Sequence, residues 1–292
     1  MTNPLHAAYY ADRACQQQVT VLENQRLARD TYRVRFECPE LAARIVPGQF
    51  LMLRLSGGDD PLLGRPLALY DTVLSTSGVP IGVDVVYLVL GKLTQRLAAF
   101  VPGQKLDIWG PLGNGFAPTP TEHLLMVAGG IGQTPFMALA REALGGRTYG
   151  LPTDSLRTPG WAKRVTFCYG ARTADFLAGV ADFEKIGVEV RISTDDGTAG
   201  HHGLVTDLAR QVISESPGVR VVCCGPERMM KAVAELTAEQ AVPCQVSLET
   251  PMACGIGICF SCVAKVRDAS GEWDYKRTCV EGPIFEATQI AW

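Results

Sequence analysis

HLLMVAGGIGQTPFMALAREAL, residues 123–144, is an apolar run, a glycine-dense turn and an amphipathic stretch in direct succession. Residues 123–128 read as a strand buried on both faces and residues 134–144 as a helix, joined through Gly129, Gly130 and Gly132. A strand that turns sharply into a helix opens a βαβ unit, and N–H groups at such a helix start can face a pyrophosphate. The turn departs from G-x-G-x-x-G because Pro135 stands at the third glycine position, although proline is tolerated in a first helical turn. Taken alone, the same glycines serve equally as a tight strand–helix connection.

The alternation continues downstream. Strands are expected at 164–169, 188–193 and 219–224, and helices at 174–185, 205–214 and 228–239. That series implies an α/β doubly wound parallel sheet over 119–242. Its last strand ends in Cys224-Gly225-Pro226, at the carboxyl edge where open α/β sheets bind ligands, although a lone Cys224 is also an ordinary small buried side chain. Residues 145–160 read as a polar surface loop. His201 and His202 follow Thr194-Asp195-Asp196-Gly197 and read as a solvated loop, since adjacent histidines rarely converge on one metal.

Upstream, the pattern changes to short β-rich runs at 19–23, 31–38, 50–55, 67–74, 81–90 and 105–109, punctuated by Pro47-Gly48 and Pro102-Gly103. One helix is expected at 93–100. This is the signature of a small β-barrel over 15–118. Arg65, held extended by Pro66, is a candidate phosphate or flavin partner, against the alternative of a surface salt bridge. The glycine-dense segment Gly110 to Phe116 joins the two halves and reads otherwise as a linker.

The third part, 243–292, has too little apolar sequence for a core of its own. Its last 40 residues hold four of the ten cysteines: Cys254, Cys259, Cys262 and Cys279. The spacing C-x4-C-x2-C, then a fourth cysteine after sixteen residues, follows the plant-type [2Fe–2S] pattern. Soft thiolates suit iron, and Gly255 and Gly257 let the backbone wrap closely over the sulfides. The alternative is a four-cysteine zinc site, which usually takes paired knuckles of shorter spacing. A metal centre commonly supplies part of the folding energy in a module of this size.

Composition bounds the rest. The 292 residues carry 27 Lys and Arg against 30 Asp and Glu, a net charge of −3, which gives no support for nucleic-acid or anionic-membrane binding. No run of about 18 apolar residues suggests a membrane span. The polar first 18 residues lack a secretory apolar region, so a cytoplasmic location and reduced thiols are expected. No Ser/His/Asp set or close carboxylate pair suggests hydrolysis.

In order, these motifs resemble those of the ferredoxin–NADP reductase superfamily. Within it the cysteine block, Thr194-Asp195-Asp196-Gly197, the segment SLETPMACG at 247–255 and the tail CVEGPIF at 279–285 resemble the electron-transfer subunits of B-class dihydroorotate dehydrogenase. The resemblance covers about residues 15 to 290. It implies a β-barrel flavin domain, then the α/β doubly wound nucleotide-binding domain, then a small C-terminal iron–sulfur module.

The resemblance also implies FAD on Arg65, Pro66, Leu67 and Ala68, on Val86, Tyr87 and Leu88, and on Leu93 and Thr94. Ala68 stands where the family has Ser or Thr, Leu88 where it often has a basic residue, and Leu93 where it usually has Gly, leaving Arg65, Tyr87 and Thr94 as polar partners. NAD(H) is expected on Gly129, Gly130 and Gly132 with its ring near Cys224 and Gly225, and the [2Fe–2S] cluster on the four cysteines. The implied activity is an electron relay from dihydroorotate to NAD in pyrimidine biosynthesis, with an FMN-containing catalytic partner subunit in a heterotetramer. The alternative is a subunit of another NAD(P)H complex, of sulfhydrogenase or ferredoxin–NADP reductase type. Arg172 leaves NAD and NADP both open.

Overall fold

The computed structural model describes residues 11–151 and 157–292. After a 3-10 turn at Ala11–Arg13 the chain forms β1 (Cys15–Ala28), β2 (Thr31–Glu37), α1 (Pro39–Arg44), β3 (Phe50–Leu55), β4 (Arg65–Leu74), β5 (Pro80–Leu88), α2 (Lys92–Ala98) and β6 (Lys105–Leu112). The six strands close into an antiparallel barrel in the order β1-β2-β5-β4-β3-β6. Alternation explains β3. Leu51 and Leu53 point into the barrel core, while Phe50 and Met52 point outward and are buried beneath the C-terminal cysteine segment. The short helix α1 was not expected. Its signal is Pro39 in the first turn, and it buries Leu41 and Ala42 at one end of the barrel.

The second half comprises β7 (Thr121–Gly129), α3 (Phe136–Ala143), β8 (Ala162–Ala171), α4 (Val180–Lys185), β9 (Glu189–Thr194), β10 (His201–His202), α5 (Val205–Glu215), β11 (Val219–Cys224), α6 (Glu227–Glu239) and β12 (Cys244–Ser247). The tail adds β13 (Val263–Arg267), β14 (Trp273–Arg277) and β15 (Ile284–Glu286). Seven strands form one sheet in the order β10-β9-β8-β7-β11-β12-β15, parallel except for β15. The central strand β7 is covered on both faces. Leu125 and Val127 lie in one core, Leu124, Met126 and Ala128 in the other, as in a doubly wound sheet. Among the described residues no helix is long and apolar enough to cross a membrane.

Three differences from the sequence reading have physical causes. The helix expected at 174–185 is a 3-10 turn at Ala174–Phe176 followed by α4, broken where Gly179 takes a left-handed φ of 73° under the Tyr70 hydroxyl. The sheet also runs past residue 242. The four-residue β12 pairs with β11, and β15 reaches it from beyond the cysteine block, so part of the 243–292 segment completes the nucleotide domain. In the 145–160 loop, residues 152–156 lie outside the described residues, and the described part docks rather than floats. Arg147 Nη1 and the Tyr149 hydroxyl both donate to Asp71 Oδ1, at 2.7 and 2.6 Å, and Arg157 pairs with the buried Glu142.

His123 is the third residue of the central strand, 2% exposed, its Nε2 2.8 Å from the Thr166 hydroxyl. Burial, with nearby Arg164, pushes its pKa down to about 4. The unfolded chain therefore takes up a proton below pH 6.5 that the folded chain refuses, so this residue lowers stability as pH falls from about 6.5 toward 4. Denaturant titrations at pH 7 and 4.5 should show a loss of about 2 kcal/mol that His123→Gln removes. An unchanged pH slope in the variant would rule out this origin.

Candidate functional site

The 16-residue gap between Cys262 and Cys279 is one hairpin. Cys262 immediately precedes β13, Cys279 follows β14 by two residues, and Val263 pairs with Arg277. Thr278 donates both its N–H and its hydroxyl to the Cys262 carbonyl, at 2.9 and 3.0 Å, which carries the ladder one step further. The two sulfurs thus sit 3.2 Å apart, both buried. Sharing one proton lowers the first ionisation of the pair, with Cys262 at about 6, and raises that of Cys279. At the other side, hydrogen bonds from Ser261 hold the exposed Cys259 thiol down at about 6, with Cys254 beside it. The thiols therefore sort two and two, and among the described residues no three metal-type side chains converge on one point. Two thiolates on each of two irons fits this arrangement better than four on a single zinc.

The loop between the cysteines is built on the barrel. Gly255, at φ 73°, lies so close that a Cβ would meet Met52 at 2.6 Å and Leu112 at 3.1 Å. Trp109 Nε1 donates to the Cys254 carbonyl at 2.9 Å, and Arg277 donates to the Gly257 carbonyl at 3.0 Å while its guanidinium lies over the Phe260 ring. Asn114, which reads as part of a linker in sequence, clasps Ile284 through both backbone groups and fixes where the tail returns to the sheet.

A cavity of about 780 Å³ opens between the barrel, the parallel sheet and this loop. All the residues assigned to FAD line it: Arg65, Pro66, Leu67 and Ala68, then Val86, Tyr87 and Leu88, then Leu93 and Thr94. Ile131, Thr134, Pro135 and Cys224 form a second wall, and Met252, Ala253 and Ser261 a third. The volume is within the range of cofactor sites, and the lining is mostly apolar. Two of the three expected polar partners are already engaged. The Tyr87 hydroxyl is buried and donates to Asn24 at 3.0 Å, with its pKa pushed up by burial. The Thr94 hydroxyl accepts from the N–H groups of Leu90 and Gly91 to cap α2. Arg65 keeps an exposed guanidinium that donates only to nearby carbonyls of its own loop. The site thus suits a flavin held chiefly by backbone groups and apolar contact.

The sequence reading missed Glu249. It lies two residues beyond β12, and with Arg65 it is one of the two charged side chains lining the cavity. Burial raises its carboxyl pKa, and its charge in turn contributes to the raised pKa of Cys224, after burial. Cys224 sits opposite Ser247 in the β11–β12 register.

Gly129, Gly130 and Ile131 also line a second cavity of about 460 Å³ with Arg172, Asp195 and Arg228. The turn is a 3-10 segment, Gly130–Gln133, and α3 starts only at Phe136 with Pro135 as its cap. It is pressed onto the Cys224 edge: a Cβ on Gly132 would stand 2.3 Å from the Cys224 carbonyl oxygen. Gly225 packs against Gly129 in the same way, so the two glycine segments form one wall. His201 and His202 are exposed on the edge strand β10, away from these cavities.

Comparison with known proteins agrees with this geometry. Residues 18–116 match an oxidoreductase FAD-binding domain, 126–235 an oxidoreductase NAD-binding domain, and 249–291 the iron-sulfur cluster binding domain of dihydroorotate dehydrogenase B. The electron transfer subunit of dihydroorotate dehydrogenase B (NAD(+)) from Desulforamulus reducens is 35% identical over 273 residues, 93% of this chain and 97% of that one. That of Caldanaerobacter subterraneus subsp. tengcongensis is also 35% identical, over 92% and 96%. Among solved structures, a chain of an NADH-dependent reduced ferredoxin-NADP oxidoreductase superposes with a TM-score of 0.76 at 29% identity, covering 94% of this chain and 90% of that chain. The protein is an oxidoreductase subunit with FAD-, NAD- and iron–sulfur-binding domains, and it belongs to the family of dihydroorotate dehydrogenase B electron transfer subunits.

Proposed function

We propose that this chain passes electrons between NAD(H) and a dihydroorotate-oxidising catalytic subunit that carries FMN, as the cytoplasmic electron-transfer half of a heterotetramer in pyrimidine biosynthesis. The observation that carries the reading is the shared cavity. One wall bears the flavin motif, one the Cys224 edge, and one the cysteine loop, so the elements that hold three redox groups meet in one place. When bound, FAD exchanges hydride with the nicotinamide and single electrons with the cluster.

The chain's own residues place and insulate these groups. Arg65 to Ala68, Val86 to Leu88, and Leu93 and Thr94 hold the flavin. Gly129 and Gly130 would receive the dinucleotide phosphates, Gly132 would hold their turn against the Cys224 edge, and Cys224 and Gly225 would pack near its ring. Glu249 would present a carboxyl to the flavin cavity close to Cys224. Cys254, Cys259, Cys262 and Cys279 ligate the irons, and Trp109 anchors their loop to the barrel. Ile258 and Phe260, 67% and 62% exposed at the outer edge of that loop, suit a docking face for the catalytic subunit.

Anaerobic purification with metal and flavin quantitation tests the reading. About two irons and one FAD per chain are expected, with an FMN-containing dihydroorotate-oxidising subunit co-purifying. Zinc in place of iron overturns the cluster assignment. Co-purification with a hydrogenase or a second flavoprotein instead favours the other NAD(P)H-complex reading, which the 29%-identical structural relative keeps specific.

A further inference from the structure

Arg29 and Arg172 come from different domains and meet on one aromatic ring. Arg29 opens the two-residue turn between β1 and β2, and its N–H donates to the Asp175 carbonyl at 2.8 Å, which docks the barrel hairpin on the nucleotide domain. Arg172 follows β8 directly. Both guanidinium carbons lie over Phe176, at 5.3 and 5.0 Å from its centroid. Two cations sharing one ring repel each other, and little within the chain neutralises them. The nearest carboxylate to Arg29 is Asp30 at 3.9 Å, exposed in the same turn, and among the described residues no carboxylate is ion-paired with Arg172. Thr173 lies beside them with a hydroxyl that has no hydrogen-bond partner.

These residues line a cavity of about 340 Å³ that shares Leu88, Arg172 and Phe176 with the cavity of the Gly129–Gly130 turn. The register fixes what reaches them. Gly129 pairs with Gly170 on the adjacent strand, and Arg172 lies two residues past that point. A dinucleotide with its pyrophosphate on the glycine turn puts its adenosine ribose at the end of this neighbouring strand, where an acidic residue would read a 2′-hydroxyl and an arginine a 2′-phosphate. The end of β8 offers Gly170-Ala171-Arg172-Thr173. The carboxylate lining the larger cavity, Asp195, follows β9, one strand further out.

We propose that Arg172 and Arg29, stacked on Phe176 across the domain junction, bind the 2′-phosphate of NADP(H), so that this chain takes NADP(H) as well as NAD(H). The inference rests on the glycine-turn cavity being the nicotinamide-dinucleotide site. A dianionic phosphomonoester answers Arg172, which has no ion pair among the described residues, and Arg29, whose ion pair is the long, exposed one to Asp30 at the cavity rim, with Thr173 as a third donor.

The test uses the FAD-loaded complex and two probes, 2′,5′-ADP and 5′-ADP, measured by calorimetry at low salt, with flavin reduction by NADH and NADPH alongside. The 2′-phosphorylated probe is expected to bind at least about tenfold more tightly, and R29Q and R172Q each to remove most of that preference. In R29Q, whose side chain lies outside the glycine-turn cavity, binding of 5′-ADP, FAD content and reduction by NADH should change little, and R172Q is read by the ratio of the two probes alone. Equal binding of the two probes by the unaltered protein overturns the proposal. So does a preference that survives both substitutions, or loss of FAD in the variants, which would assign the clasp to the flavin's own phosphates. If neither nicotinamide nucleotide reduces the flavin, the functional reading itself fails, and the two failures are distinguishable.

Discussion

Replacing Cys279 with serine is expected to empty the metal site. Iron should fall from about two per chain to a small fraction, and the paramagnetic signal of the dithionite-reduced protein should vanish. Electron delivery from NADH to a one-electron protein acceptor should drop by at least about a hundredfold, while FAD content and hydride transfer to the flavin persist. The reason is positional. Cys279 is fully buried against Cys262, in a small core shared with Phe50, Met52, Leu112 and Val280. A serine there offers a poorer ligand, and its hydroxyl replaces an apolar thiol in a dry pocket, at a cost of about 1–3 kcal/mol. The loss should spread along the Trp109–Cys254 contact and loosen the loop from the barrel. Cys259→Ser is the informative contrast. That thiol is exposed, so its replacement should cost iron without costing fold. If Cys279→Ser keeps both its iron and its signal, the four-cysteine assignment is wrong.

The cysteine block was legible because its chemistry is local. A C-x4-C-x2-C loop and a sixteen-residue return need nothing but one hairpin to close, and β13 and β14 supply it. The alternation of buried strands and amphipathic helices was legible for the same reason: the pattern of Val205, Leu208, Ala209, Val212 and Ile213 on α5 is written in consecutive residues. What escaped depends on partners far apart in the chain. Glu249 matters only because β12 brings it to the cavity, and β12 is too short to announce itself. Asn114 earns its role through Ile284, 170 residues away. Tyr87 and Thr94 carry the right polar atoms for a flavin site, yet Asn24 and the start of α2 had already claimed them. A motif records which atoms are present, whereas only the fold records which are free.

The same logic gives Asp71 an effect out of proportion to its distance from the cavity. It sits on β4, six residues beyond Arg65, and is 7% exposed. Its carboxylate takes the Tyr149 hydroxyl and Arg147 Nη1 on Oδ1, at 2.6 and 2.7 Å, and stands 2.8 Å from Arg141 Nε through Oδ2. Arg141 belongs to α3, the helix that the glycine turn feeds. One carboxylate therefore ties the strand that begins with the flavin motif to the helix that follows the nucleotide turn. Asp71→Ala leaves two guanidiniums facing each other without a counter-charge at a buried junction, a loss of about 3–5 kcal/mol. In a chain of this size that corresponds to a fall of roughly 10 °C in melting temperature. The functional consequence should be larger than the thermal one, because hydride transfer is sensitive to ångström displacements between its two half-sites. Below the new melting point, flavin reduction by NADH should slow by at least about tenfold with FAD still bound, and Asp71→Asn should fall between the two. A variant that melts earlier yet reduces its flavin at the original rate would show that the clasp holds the domains together without setting the distance between their cofactors.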